Sequence, residues 1–74
     1  MDHANQRSNR LDIEPDGQGW AVKKPGQPVP QSRHRFLERA ERAAQRLLSA
    51  TGGGEVWFRD RDGVMRDAEI VAAA

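Results

Sequence analysis

SRHRFLERAERAAQRLLSATGGG, residues 32–54, is the stretch on which the fold turns. Phe36, Leu37, Ala40, Ala43, Ala44, Leu47 and Leu48 recur at steps of three and four, an apolar stripe at the 3.6-residue period of an amphipathic α-helix. Ala, Leu, Arg and Glu, which fill most of the segment, are good helix formers. Ser32 offers an N-cap oxygen, and Gly52-Gly53-Gly54 supplies a stop, since glycine takes the left-handed terminating conformation at little cost. The spacing predicts one helix over about 33–50.

Outward from this helix the period changes from 3.6 to 2. On its N-terminal side, Leu11-Asp12-Ile13-Glu14 alternates apolar with polar, Pro15-Asp16-Gly17-Gln18-Gly19 supplies turn residues, and Trp20-Ala21-Val22-Lys23 alternates again. This predicts a β-hairpin with a loose turn. Pro25, Gly26, Pro28 and Pro30 make residues 25–31 a loop, because each proline lacks an N–H and restricts the residue before it. On the C-terminal side, Val56-Trp57-Phe58-Arg59, the turn Asp60-Arg61-Asp62-Gly63 and Val64-Met65-Arg66 predict a second hairpin. Residues 1–10 are polar and aperiodic, with too little apolar surface to offset ordering, and read as a flexible tail ahead of a single domain over 11–74.

The expected fold is therefore α+β: a ββαββ domain with one amphipathic helix on a short antiparallel sheet. Trp20 and Val22 share one face of the second strand and belong in the core with the helix stripe, together with either Val56 and Phe58 or Trp57. The register of the second hairpin stays open. A two- or four-residue loop puts Phe58 on the face of Met65, and a three-residue bulged loop puts it on the face of Arg66.

Composition narrows the function classes. A chain of 74 residues is too short for two domains, and a single core of this size leaves stability marginal. Cysteine is absent, which removes disulfides, thiolate metal ligands and thiol nucleophiles and fits a reducing compartment, so a cytoplasmic location is expected. No run approaches the roughly 20 apolar residues of a membrane helix, and Met1 to Arg7 lacks a secretory apolar stretch, so a soluble protein without membrane contact is expected. Twelve Lys and Arg against eleven Asp and Glu leave a net charge of +1, far from that of a protein that coats nucleic acid. The charge is sorted along the chain, with a basic middle and acidic ends.

The order Gly19-Trp20-Ala21-Val22, a glycine-containing loop, Phe36 and Ala40 leading an alanine-rich helix, then Gly54-Glu55-Val56-Trp57-Phe58 and Asp62-Gly63-Val64 resembles the DUF2188 family of small bacterial and archaeal domains of unknown function. The likeness covers about residues 19–67. It implies the small α+β fold and no activity, because the family has none assigned.

Two interaction candidates stand out. Arg35, Arg39, Arg42 and Arg46, spaced four, three and four, line one helical face and could track phosphates, enlarged by Arg33, His34, Lys23 and Lys24 if strand two lies nearby. The plainer reading is a solvated helix with Glu38 and Glu41 paired along it. Trp57 points opposite to Phe58, and a single helix covers only one face of a sheet, so Trp57 is the best partner-binding residue. Asp60-Arg61-Asp62-Gly63 begins like a calcium loop, but a third ligand before the glycine is missing and Val71 stands in the place of the closing Glu, so it reads as a turn.

Catalytic residues are not expected. His3 lies in the tail, His34 lies among arginines, and Ser8, Ser32 and Ser49 lack a base with an orienting acid. No metal, cofactor or small-molecule substrate is expected either. The reading is a non-enzymatic binding module that meets another protein, or a second copy of itself, through an open sheet face; the alternative is a nucleic-acid accessory protein using the Arg face.

Overall fold

The computed structural model describes residues 9–74. Residues 1–8, most of the expected tail and with it His3 and Ser8, lie outside the described residues. Six elements follow in order: β1 Arg10–Asp16, β2 Gly19–Lys23, β3 Ser32–His34, α1 Leu37–Ala50, β4 Gly54–Arg59 and β5 Met65–Val71. They form one five-stranded sheet in the order β3-β2-β1-β4-β5.

Both hairpins are present, but the sheet is mixed rather than antiparallel, and it has a fifth strand. β1 pairs antiparallel with β2 and parallel with β4, from Arg10 opposite Glu55 to Ile13 opposite Phe58. The cause is the helix: α1 carries the chain from the β3 edge across one face to the far side of β1, and a crossover of this kind delivers a parallel strand. Pro15 falls after the last β1–β4 pair, where its missing N–H interrupts no ladder on that side.

The new strand comes out of the expected helix start. Ser32, Arg33 and His34 pair with Val22, Ala21 and Trp20, so α1 begins at Leu37 and not near residue 33. Ser32 Oγ lies 2.8 Å from His34 Nε2 instead of capping the helix. The N-cap is Phe36, in extended conformation with no side-chain cap bond, and its ring is 54 % exposed. The stripe's first member is thus lost from the core. Its centre holds: Ala40, Ala44 and Leu48 are buried against Leu11, Ile13, Val22 and Val56, with Trp20, Phe58 and Val71 packed around them. Two alanines at the contact let the helix axis sit close to the sheet.

The glycine stop forms as expected. The N–H of Gly53 donates to the Leu48 carbonyl at 2.6 Å, a six-to-one bond that closes the helix with Gly52 and Gly53 at positive φ. Here the expected boundary after Arg10 gives way. Asn9 Nδ2 donates to the carbonyls of Thr51 at 3.0 Å and Gly53 at 3.1 Å, and the Glu55 N–H donates to the Asn9 carbonyl at 3.1 Å. Asn9 thereby ties β1 to the end of α1, and a side chain at Gly54 would collide with its backbone.

The first turn is tight, not loose: Asp16 pairs with Gly19, and Gly17 supplies the positive φ that a two-residue hairpin loop demands. In the second hairpin Phe58 sits opposite Asp67 and Arg59 opposite Met65, which leaves Arg66 as the extra residue of a bulge. Phe58 and Met65 are therefore on opposite faces. Asp60 organises the turn. Its carboxylate accepts from the N–H groups of Asp62 and Val64 and from Arg66 Nε, and these bonds, that from Val64 foremost, hold its pKa below the usual range.

The packing separates the two isoleucines sharply. Ile13 is fully buried and Ile70 is 78 % exposed. Ile13→Ala is expected to lower unfolding free energy in urea by about 2–5 kcal/mol, whereas Ile70→Ala should change it by less than about 0.5 kcal/mol.

Candidate functional site

Strand alternation sends Leu11, Ile13, Val22, Val56 and Phe58 to the helix side and the residues between them to the other face. That second face carries Arg10, Asp12 and Glu14 from β1, Lys23 from β2, Arg33 from β3, and Glu55, Trp57 and Arg59 from β4. None of the described helices or strands covers it.

Trp57 stands at its centre, directly opposite Asp12. The guanidinium of Arg10 lies 3.9 Å from the ring centroid and that of Arg59 lies 5.5 Å away, both within cation–π range. The indole N–H donates to Glu55 Oε1 at 2.6 Å. Asp12, only 8 % exposed, is gripped from both sides, with Arg10 Nε 3.0 Å from Oδ1 and Arg59 Nε 3.1 Å from Oδ2. The Arg59 contact is a hydrogen bond; the Arg10 Nε contact is an ion pair whose N–H is not aimed at the oxygen. Lys23 pairs with Glu14 at 3.1 Å and Arg33 with Asp16 at 2.7 Å. Each cation on this face thus has an anion beside it, and the indole is locked by its neighbours.

Of the two arrangements the sequence left open, the structure has Val56 and Phe58 on the core side and Trp57 on the other face, beside partners that sequence reasoning missed. Arg10 had been assigned to the tail, although the alternation Arg10-Leu11-Asp12-Ile13-Glu14 already puts the three charged residues on one side. Arg59 is brought to Asp12 only by the β1–β4 pairing, across 47 residues of sequence.

On the opposite side, Arg39, Arg42 and Arg46 project from α1 into solvent, whereas exposed Arg35 lies in the bend before the helix and not on it. The proposed enlargement of this patch fails. Lys23 and Arg33 sit on the other face of the sheet in ion pairs, and His34 contacts Ser32. The expected pairing of Glu38 and Glu41 along the arginines does not form among the described residues. Glu41 turns instead toward β5, where it lines an open groove of about 450 Å³ with Leu37, Phe58, Asp67, Ala68 and Glu69. Burial, then Glu69, Asp67 and Glu38 beside it, push the Glu41 pKa up.

A second crevice, of about 390 Å³, lies between the proline loop and the end of α1, with Lys24 and Arg10 as its charged groups. Sequence reasoning gave Ser32 no base, yet the β3 pleat brings it to His34; no acid orients that imidazole among the described residues. Among the described residues, no three His, Asp or Glu are grouped to hold a metal ion, and no helix is long and apolar enough to cross a membrane.

A family model described as an uncharacterized protein conserved in bacteria (DUF2188) matches residues 12–71. The chain belongs to that family, and the match reaches further at both ends than the likeness over about 19–67. No curated protein and no solved structure matches the chain.

Glu41 gives a pH signature. A carboxyl whose pKa is raised on folding holds its proton more tightly in the native state, so its contribution favours folding at low pH and is lost as pH rises through its folded pKa. In its ionised form Glu41 opposes folding. Glu41→Gln is expected to be more stable than the parent at neutral pH, and urea midpoints across roughly pH 4 to 8 should show that difference growing with pH.

Proposed function

We propose that this member of the family is a non-enzymatic binding module that meets another protein surface, a second copy of this chain above all, through the open sheet face around Trp57. One observation carries the reading: among the described residues the sheet is covered on one side only, and the other side is neutralised internally. Arg10 and Arg59 lie against Asp12, Lys23 against Glu14 and Arg33 against Asp16, and Glu55 accepts from the Trp57 indole. A two-fold contact lays a surface on itself, and a surface of mixed sign can do so without like charges meeting. A central aromatic ringed by polar groups is also the composition of an interface hot spot. The small core adds a motive, because association stabilises a marginal domain by mass action.

Light scattering over roughly 1–100 µM should show the mass rising from one copy toward two. Trp57→Ala, checked for folding by circular dichroism, should weaken the association at least about tenfold. A single copy at every concentration would remove self-association, and an unchanged association in the variant would remove Trp57 from it.

A second reading has its own support. Arg39, Arg42 and Arg46 are exposed, and Glu41 is drawn away from them to β5. Three guanidinium groups on one helix ridge suit phosphates of a nucleic-acid backbone. Three duplex phosphate contacts predict a salt slope of about −2.7, or about a forty-fold loss of affinity between roughly 50 and 200 mM salt. Fluorescence anisotropy with labelled DNA and RNA should show that loss, and Arg39→Glu with Arg42→Glu should abolish binding. No binding at either salt concentration excludes this reading.

A further inference from the structure

Among the described residues, β5 ends the sheet with seven residues, Met65–Val71, paired with β4 on one side only. Edge strands of soluble proteins are commonly blunted by shortness, proline, bulges or charged side chains, lysine especially. The opposite edge, β3, has three residues. β5 has neither proline nor lysine, and its Arg66 bulge disturbs only its beginning, which leaves an extended edge from Asp67 to Val71.

The two sides of this edge differ in chemistry. Toward the helix, Asp67 and Glu69 stand with Glu41 of α1 around the groove floored by Leu37 and Phe58. Away from the helix, Ala68 and Ile70 point to solvent beside the open face. A strand added at this edge would set every second side chain among carboxylates and the others against apolar groups.

A second copy does not fit. Two β5 strands joined by a two-fold axis through the sheet must pair residues of the same face. Every two-fold register that joins five or more residues of β5, centred on Asp67, Ala68 or Glu69, puts Asp67 on Asp67, Asp67 on Glu69, or Glu69 on Glu69, and like charges directly opposite destabilise a ladder; the register centred on Ile70 avoids this but joins only Glu69 to Val71 of the strand. The unbalanced acids thus reject self-pairing and select for the opposite charge.

We propose that β5 is a strand-addition site for an extended segment of another protein in which basic residues alternate with apolar ones. Main-chain hydrogen bonds to the β5 edge hold the segment. Its Lys or Arg side chains lie along Leu37 and Phe58 with their charges at Glu41, Asp67 and Glu69, and its apolar side chains cover Ala68 and Ile70. The acidic row of the site is separate from the open face, since Glu69 points to the helix side, whereas Ala68 and Ile70 border that face.

The test uses the whole chain and four labelled peptides: one alternating Val with Lys and Arg; one of the same composition in blocks; one alternating Val with Glu; and the first with alternate backbone N–H groups methylated. The alternating basic peptide is expected to bind and to slow amide exchange over residues 65–71. The other three, and the Glu69→Lys protein with the first peptide, should bind at least about tenfold more weakly. Ile70→Ala, on an exposed side chain, serves as the variant that tests the apolar row without endangering the fold. Glu69→Lys should leave self-association through the Trp57 face unchanged, so the two surfaces fail or succeed separately. Equal binding of block and alternating peptides would reduce the site to unspecific charge attraction and overturn the proposal. So would indifference to N-methylation, or absence of protection in β5.

Discussion

The parallel pairing of β1 with β4 is the constraint on which the remaining structure depends. It places β1 in the middle of the sheet, with a neighbour on each side, and so fixes the facing of every residue from Arg10 to Glu14. Leu11 and Ile13 become the floor on which Ala40, Ala44 and Leu48 pack. Arg10 and Asp12, held between them in sequence, are forced onto the opposite face beside Trp57. A slip of one residue in this pairing would exchange the two sets, burying charge under the helix and exposing the core. The apolar floor and the ionic face are thus two consequences of one register.

That register also explains why a chain with a net charge of only +1 carries three electrically different surfaces. The open face is balanced pair by pair. The outer ridge of α1 is basic, and the flank where α1 meets β5 is acidic. Partly exposed pairs such as Arg33 with Asp16 contribute little to stability, because water screens them and two long side chains must be held still. Asp12 is different. It is nearly buried, and removing either guanidinium would leave a desolvated carboxylate poorly compensated. The Asp12 contacts therefore specify how β1 and β4 align more than they add to net stability.

Much of the local structure was legible in the sequence. The period of 2 in 11–14 and 20–23, the period of 3.6 through Ala40, Ala44 and Leu48, and the glycine run each announced an element. What failed to show was whatever depends on residues far apart. Nothing in the alternation of β1 says that its second neighbour comes after the helix. β3 is too short to show a period, and its Arg and His residues read as the opening of a helix until pairing with β2 claims them. Asn9 looks like tail composition, and its role exists only because the carbonyls of Thr51 and Gly53 end up beside it. At the candidate site the same division holds. Alternation set Trp57 opposite to Phe58 but left open which of them faces the helix, and the Arg10, Asp12 and Arg59 contacts around Trp57 required the long-range pairing. Glu41 was read as a partner for arginines on its own helix, and the docking of α1 against β5 turned it away.

The acidic flank is the place where like charges crowd together with no cation paired to them among the described residues; the Gln45 amide on Glu69 and the Ala68 N–H on Asp67 are their only hydrogen-bond donors there. Asp12, Asp16 and Asp60 meet guanidinium groups and Glu14 meets an ammonium, whereas Glu41, Asp67 and Glu69 lie beside one another. In a domain of this size such repulsion weighs against a small net stability. Departures of this kind in a natural sequence point to sites whose balance is completed from outside. Here the missing charge lies beside an unpaired strand edge, and both deficits have the same geometry: a strand laid against β5 brings backbone partners and, at every second residue, a position for a cation. Because such a partner binds only the folded chain, the energy gained at the edge also stabilises the fold. The repulsion that weakens the isolated domain is therefore the term that makes its stability responsive to the partner.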